Sequence, residues 1–211
     1  MKQFFIDLTI SRFLAKKKAF MIAYIALLVA ISAISNMFLE IKLFDTQFSL
    51  TITISAMIGY IAGPIMGFAV CMLGDLLGYL VNGGGLYYFW VALSTGAFAL
   101  IAGLLSMKKS KNPLTKYLKI GLFCIISFVA CTVGINSLGF YLFNMNVGFS
   151  AAVKNFVASA FGGEKVTFFA YVCYRLFFKL QILNSVFNYA LLFVLFTAFY
   201  KIKPLEAYFE V

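Results

Sequence analysis

Gly59-Tyr-Ile-Ala-Gly63-Pro64-Ile-Met-Gly67-Phe-Ala-Val-Cys71-Met-Leu-Gly74-Asp75-Leu-Leu-Gly78-Tyr79 is the stretch that decides the fold. It is apolar on both sides of one tight Gly-Pro turn, and it carries a single carboxylate, Asp75. A carboxylate in hydrocarbon is costly, so Asp75 has to face a protein interior or a wet cavity. It lies ten residues beyond Ile65, about 15 Å along a helix rising 1.5 Å per residue, which puts it near mid-membrane. Two roles suit it: a ligand-binding group, or a structural polar link between helices.

The rest of the chain has the same character. Of its 211 residues, 64% are hydrophobic and 11% charged, with a mean hydropathy of +0.99. A soluble domain carries about twice that charged fraction. Hydrophobic runs recur along the whole length, which predicts an all-α membrane protein, a six-transmembrane-helix bundle. The spans are expected at 20–39, 48–62, 65–81, 87–107, 118–143 and 169–200. The second and third are short for a hydrocarbon core that needs about 20 residues. The first follows a basic N-terminus as a signal peptide would, yet it is long enough to span and five more runs follow, so it reads as a retained helix.

Lys and Arg set the orientation. Twelve of them (Lys2, Arg12, Lys16, Lys17, Lys18, Lys108, Lys109, Lys111, Lys116, Lys119, Lys201 and Lys203) fall on one side and three (Lys42, Lys154 and Lys165) on the other, which predicts that both termini are cytoplasmic. The net charge of +10 is then a topology signal and no argument for nucleic acid. The expected organisation is a basic amphipathic N-terminal segment at 1–19, a membrane domain at 20–203 and a cytoplasmic tail at 204–211. The first segment reads either as an interfacial helix or as a solvated tail. A longer outer segment, 144–167, is expected to hold a short helix capping the outer face, and the loop after Val81 has three successive glycines, Gly83 to Gly85.

Candidate site residues are few. Arg175 and Lys179, four apart at the head of the last helix, share a face. They point to an anionic group near the outer surface, or else snorkel to lipid headgroups. Gln181, Asn184 and Asn188 fall roughly opposite that pair and read as interhelical links. Asn136 lies toward the outer end of the fifth span. The helix ends are rich in aromatics, among them Phe44, Tyr87, Tyr88, Trp90 and Tyr141, which form either an interfacial belt or the walls of a cavity for a planar ring. Glycines at 59, 63 and 67, at 74 and 78, and the series Ala92, Gly96, Ala99, Gly103 mark close helix contacts. Ala23, Ala26, Ala30 and Ala33 make a smooth stripe on the first helix, suited to internal packing or to docking another membrane protein.

Several chemistries are excluded. There is no Walker-type loop, so the chain is no ATPase. Histidine is absent and no nucleophile–base pairing is evident, so no catalytic residues are expected. The four cysteines sit in apolar stretches without Cys-x-x-Cys spacing, which argues against a disulfide framework or a metal site. No cofactor is expected. Binding of a small organic anion fits the residues better than catalysis.

Three runs together resemble a known family: the basic start with Ile25-Ala-Leu-Leu-Val-Ala-Ile31, then Gly59-Tyr-Ile-Ala-Gly63-Pro64-Ile-Met-Gly67, then Gly74-Asp75-Leu-Leu-Gly78-Tyr79. They are similar to the membrane-embedded S components of energy-coupling factor vitamin transporters, most of all to the folate group. The resemblance implies a six-helix protein in a prokaryotic plasma membrane with an outward-facing vitamin site closed by loops. It also implies partners: a transmembrane coupling subunit docked on the alanine stripe, and two cytoplasmic ATPases. For a folate, Tyr79, Trp90 and Tyr141 are expected to stack the rings. Asp75 and Asn136 are expected to bond the pterin edge, and Arg175 and Lys179 to hold the tail carboxylates. The chain departs from the folate group in lacking prolines in Leu86-Tyr-Tyr-Phe-Trp90 and in spacing its Arg and Lys by four. Another vitamin, riboflavin or pantothenate, is the nearest alternative. A self-sufficient secondary transporter is a further one, for which no convincing inverted repeat is evident, and a lipid-acting membrane enzyme is a third.

Overall fold

A computed structural model of the chain describes residues 8–9, 18–38, 40–43, 46–82, 85–107, 112–163 and 165–201. Most of the N-terminal segment 1–19, Phe44, the loop residues Gly83 and Gly84, and the tail 204–211 lie outside the described residues.

Helix α1 (Lys18–Phe38) leads into a two-stranded antiparallel hairpin, β1 (Glu40–Leu43) and β2 (Thr46–Ser49), in which Glu40 pairs with Ser49 and Leu43 with Thr46. Helix α2 (Thr51–Ala62) then turns into α3 (Pro64–Asn82). The turn is a single residue, Gly63, whose φ of 95° is closed to most L side chains. Its N–H still caps α2 by donating to the Gly59 carbonyl at 3.0 Å, and Pro64 opens α3, where a missing N–H costs nothing. Helix α4 (Phe89–Ser106) packs against both.

The expected glycine faces are the contacts between these helices. A Cβ on Gly59 would run into the Ala99 backbone of α4, and one on Gly103 would lie 2.6 Å from Pro64 Cα. Gly74 lies just as tightly on Ser32 of α1. Backbones this close gain dispersion contacts that lipid-facing side chains do not provide.

The fifth helical rod is composite. Helix α5 (Pro113–Ser127) starts on Asn112, which accepts from the Leu114 N–H at 3.0 Å, and continues as a π-helical segment π1 (Phe128–Ser137) and then α6 (Leu138–Val147). Helix α7 (Ala151–Phe161) is the short outer helix expected between the last two spans. Ser150 caps its start by accepting from the Val153 N–H, and Gly162 ends it at φ 66°.

The last span differs from the single long helix expected. It consists of α8 (Phe168–Cys173), a π-helical segment π2 (Tyr174–Phe178) and α9 (Gln181–Lys201), with a break at Lys179 and Leu180. Leu180 has φ 49°, a left-handed conformation that strains a residue with a Cβ.

One core joins α2, α4, α5 and α9 through Ile52, Ala56, Phe98, Phe123, Leu192 and Phe196. A second joins α1 to α4 through Leu28, Ile58, Val70 and Ala99. A third, of Val153, Val157, Ala170, Tyr171 and Tyr174, seats α7 on α8 and π2.

The outer faces are apolar. Ile22, Leu27, Leu80, Leu118, Val129, Val186 and Val194 are each more than half exposed. Aliphatic side chains exposed all round the molecule are what a protein solvated by lipid presents. Among the described residues, five helical stretches are long and apolar enough to cross a membrane: 20–37, 64–82, 89–106, 114–147 and 181–198. Thr51–Ala62 and Phe168–Phe178 are shorter apolar helices.

Candidate functional site

Asp75 is buried on α3 with 9% of its surface exposed. It accepts a hydrogen bond from Asn36 Nδ2 of α1 at 3.1 Å, and Asn36 Oδ1 in turn accepts from Thr51 Oγ1 of α2 at 3.2 Å. Tyr87, in the loop before α4, also hydrogen-bonds to Asp75. Burial, then the Asp75 charge and that bond, push the Tyr87 phenol above its ordinary value. The carboxylate thus ties α1, α2 and the loop together, and the expected structural link is present. Tyr79, one turn on, donates to the Gly85 carbonyl at 2.7 Å and lies 5.0 Å from the Tyr87 ring.

A second group surrounds Arg175. It sits on π2, half-buried, and donates to Ser137 Oγ at the end of π1, 3.2 Å away. Its guanidinium lies 4.7 Å from the centre of the Phe140 ring, a cation–π contact. Among the described residues no carboxylate pairs with it. The two π-helical segments therefore meet through one hydrogen bond, and π turns inside α-helices occur often at functional sites.

Around Phe140 is an aromatic group. Trp90 lies 5.5 Å from it and Tyr88 5.1 Å, and Phe143 closes on both at 5.9 and 5.3 Å. The pyrrole ring of Trp90 lies flat over Gly139, where a Cβ would be 2.5 Å from Trp90 Cδ1. Asn136 is three residues before Gly139 on the same rod. Its Oδ1 and the Trp90 Nε1 are buried without a hydrogen-bond partner.

Of the expected site residues, Trp90, Asn136 and Arg175 thus gather along π1 and α6. Asp75 and Tyr79 form the other group, and the adjacent Tyr87 and Tyr88 join the two. Tyr141 stands apart, in an aromatic layer with Phe149, Phe168 and Tyr171 under α7, its hydroxyl donating to the Val166 carbonyl at 3.2 Å. Lys179 lies at the end of π2, where its backbone N–H donates to the Tyr174 carbonyl at 3.0 Å. The break at Leu180 means that Arg175 and Lys179 do not continue the face of α9.

Sequence reasoning missed Asn36, Ser137, Phe140 and Phe143. Asn36 and Ser137 each left a signal, a polar residue near the outer end of an apolar run; the two phenylalanines did not stand out from their neighbours. Among the described residues no three metal-ligating side chains stand together, and the four cysteines are free thiols.

Asn184 and Asn188 are buried on α9, as expected of interhelical links. Asn188 Oδ1 accepts from the Thr53 N–H at 3.1 Å and from Thr53 Oγ1 at 2.9 Å, while its Nδ2 donates to the Ser49 carbonyl at 2.6 Å. Asn184 Oδ1 accepts from the Ser49 N–H at 3.1 Å. Together they fasten the end of the hairpin and the start of α2 to the last helix.

On the first helix, Ala23, Ala26 and Ala30 are exposed and Ala33 is half-buried, so most of the stripe is uncovered among the described residues.

Arg175 is thus a half-buried cation beside aromatic rings, with no acidic partner among the described residues. Among known families, the model of the ECF-type riboflavin transporter S component matches residues 16–181. The chain belongs to this family of multi-pass membrane transport proteins, which are not enzymes. A UPF0397 protein of Streptococcus sanguinis (strain SK36) is 36% identical over 59 residues, 28% of this chain and 32% of that protein. The match spans about a third of that relative's length.

Proposed function

We propose that this chain is the substrate-binding S component of an energy-coupling factor transporter. It binds a vitamin with a planar ring and an anionic appendage at an outward-facing site, and it hands that vitamin on in complex with a transmembrane coupling subunit and two cytoplasmic ATPases. The observation that carries this reading is Arg175, a half-buried guanidinium held by Ser137 and Phe140 with no carboxylate partner among the described residues. A cation withdrawn from water needs compensating charge, and a ligand carboxylate supplies it in bidentate form.

Folate meets both requirements. Its pterin would lie among Tyr79, Trp90 and the neighbouring tyrosines, and its glutamate tail would reach Arg175 and Lys179. Asp75 and Asn136 would border the ring, and Tyr141 would support the cover formed by α7. Riboflavin is the second reading, favoured by the name of the matching family.

In this reading both termini are cytoplasmic and six membrane passages are made, with α2 and the α8–π2 pair as the short elements. The exposed alanines Ala23, Ala26 and Ala30, with Ala33 at their edge, form the surface on which the coupling subunit docks.

The test is to purify the protein in mild detergent, denature it and identify the released small molecule by mass spectrometry. Titrations of wild type and Arg175→Ala with folate and with a tail-less pterin follow. Folate released, with Arg175→Ala weakening folate far more than pterin, is the expected result. Riboflavin released discards folate, and equal losses for folate and pterin remove the role given to Arg175.

A further inference from the structure

Two polar atoms in the aromatic group stand against the usual rule that buried donors and acceptors are paired. Trp90 Nε1 is a buried donor without an acceptor, and Asn136 Oδ1 is a buried acceptor without a donor. Their positions are linked. The Trp90 pyrrole ring rests on Gly139, with a notional Cβ there 2.5 Å from Cδ1, the atom bonded to Nε1. Asn136 is three residues before Gly139, next to Ser137, which accepts from Arg175 at 3.2 Å. The ring that carries the orphaned donor is thus seated on the rod that carries the orphaned acceptor, and the residue next to Asn136 holds Arg175.

The other polar groups of the region are committed. Asp75 is bonded to Asn36 and Tyr87, Tyr79 to Gly85, and Tyr141 to Val166. Asn144 donates to the Phe140 carbonyl at 2.7 Å and bonds the Tyr171 hydroxyl at 3.1 Å. Among the described residues, Trp90 Nε1 and Asn136 Oδ1 are the buried side-chain atoms of this aromatic group that lack a hydrogen-bond partner.

We infer that Trp90 and Asn136 form a reading head for a heteroaromatic lactam edge, a ring carbonyl beside a ring N–H, with the Trp90 N–H donating to the carbonyl and Asn136 Oδ1 accepting from the N–H. Trp90 then acts through its nitrogen as well as its ring face, and Asn136, not the engaged Asp75, fixes the orientation of the ring. This rests on the reading of the protein as a vitamin-binding S component and deepens it. Pterins and isoalloxazines both carry such an edge, so the pair selects the class, while Arg175 selects among its members by their appendage.

Two substitutions remove the polar atoms: Asn136→Leu, which keeps the bulk, and Trp90→Phe, which keeps an aromatic ring but gives up part of the indole's volume. Riboflavin, its N3-methyl analogue (which lacks the ring N–H) and folate are titrated calorimetrically, and the melting temperature is measured without ligand. Trp90→Phe is expected to weaken the ligand that binds wild type about tenfold, the worth of one buried hydrogen bond. If that ligand is riboflavin, wild type prefers it to the N3-methyl analogue about tenfold, and Asn136→Leu brings that ratio near one. Asn136→Leu melts higher than wild type without ligand, because it removes an unsatisfied buried group at similar volume. Variants that bind as tightly as wild type overturn the inference, and so does an Asn136→Leu variant that melts lower without ligand, since the amide oxygen then has a structural partner. Wild type that takes up neither folate nor riboflavin overturns the vitamin reading itself, a failure distinct from the other two.

Discussion

Replacing Gly139 by Ala tests the seat of Trp90. The added Cβ would lie 2.5 Å from Cδ1 and 2.7 Å from Cδ2 of the indole. Ordinary carbon contacts begin near 3.4 Å, so the overlap is about 0.9 Å at Cδ1 and larger at Cγ, the nearest atom, against a rigid ring. The indole has little room to retreat, with Tyr88, Phe140 and Phe143 all within 5.9 Å of its centre. Overpacking of this kind costs about 1–3 kcal/mol. Carried through to ligand affinity, that is a loss of about 5- to 150-fold. The chain has one tryptophan, so intrinsic emission reports on this site alone. Gly139→Ala should shift the emission maximum, lower the melting temperature in detergent and weaken ligand binding together. Gly121→Ala is the control: nothing lies within 4 Å of its notional Cβ, so it should be neutral or stabilise by up to about 1 kcal/mol through helix propensity. Unchanged emission and melting in Gly139→Ala would refute the contact and with it the placement of Trp90.

Asn188→Leu removes the acceptor of two Thr53 bonds and the donor to Ser49. It should destabilise the protein by about 1–3 kcal/mol, seen as a lower melting temperature; a value within error of wild type would show that the link carries no net stability. Leu180→Gly relieves the left-handed strain at φ 49° and should raise stability by about 1 kcal/mol, whereas a fall would mean that the leucine side chain holds the break in place. Ala26→Trp together with Ala30→Trp should abolish transport in vesicles and leave ligand affinity intact if α1 docks the coupling subunit. Unchanged transport would remove the stripe from that role.

The sequence revealed parts of this fold whose cause is local. Gly59, Gly74 and Gly103 announced close helix contacts because only small residues allow them, and the lone carboxylate Asp75 announced a buried hydrogen-bonded group. The amides Asn184 and Asn188 were legible as links for the same reason. What stayed hidden has no local mark. A π-helical run leaves no trace in a stretch that is apolar on every side, so the phase of α6 relative to α5, and with it the meeting of Phe140 with Arg175, was not readable. The break at Leu180 lacks the usual glycine or proline, so one helix was expected where two stand. The hairpin from Glu40 to Ser49 is too short to show alternation and read as a loop. The partners of Arg175 depend on where π1 and π2 fall in space.

The clamp made by Asn184 and Asn188 also bears on how the protein is assembled. It joins residues 135 positions apart. At synthesis rates of about 5–20 residues per second, roughly 7–27 seconds separate the emergence of its two halves. In that interval α2, with 12 residues, is too short to cross the bilayer unaided and has the Thr53 hydroxyl without its partner. The helical hairpin of α2 and α3 must therefore wait at the insertion machinery, or in contact with α1 and α4, until the last helix arrives to complete it. The order of synthesis makes α9 the closing element, and a chain truncated before Asn184 should be recognised by membrane quality control as unfinished even though four of its five long apolar stretches are already in place.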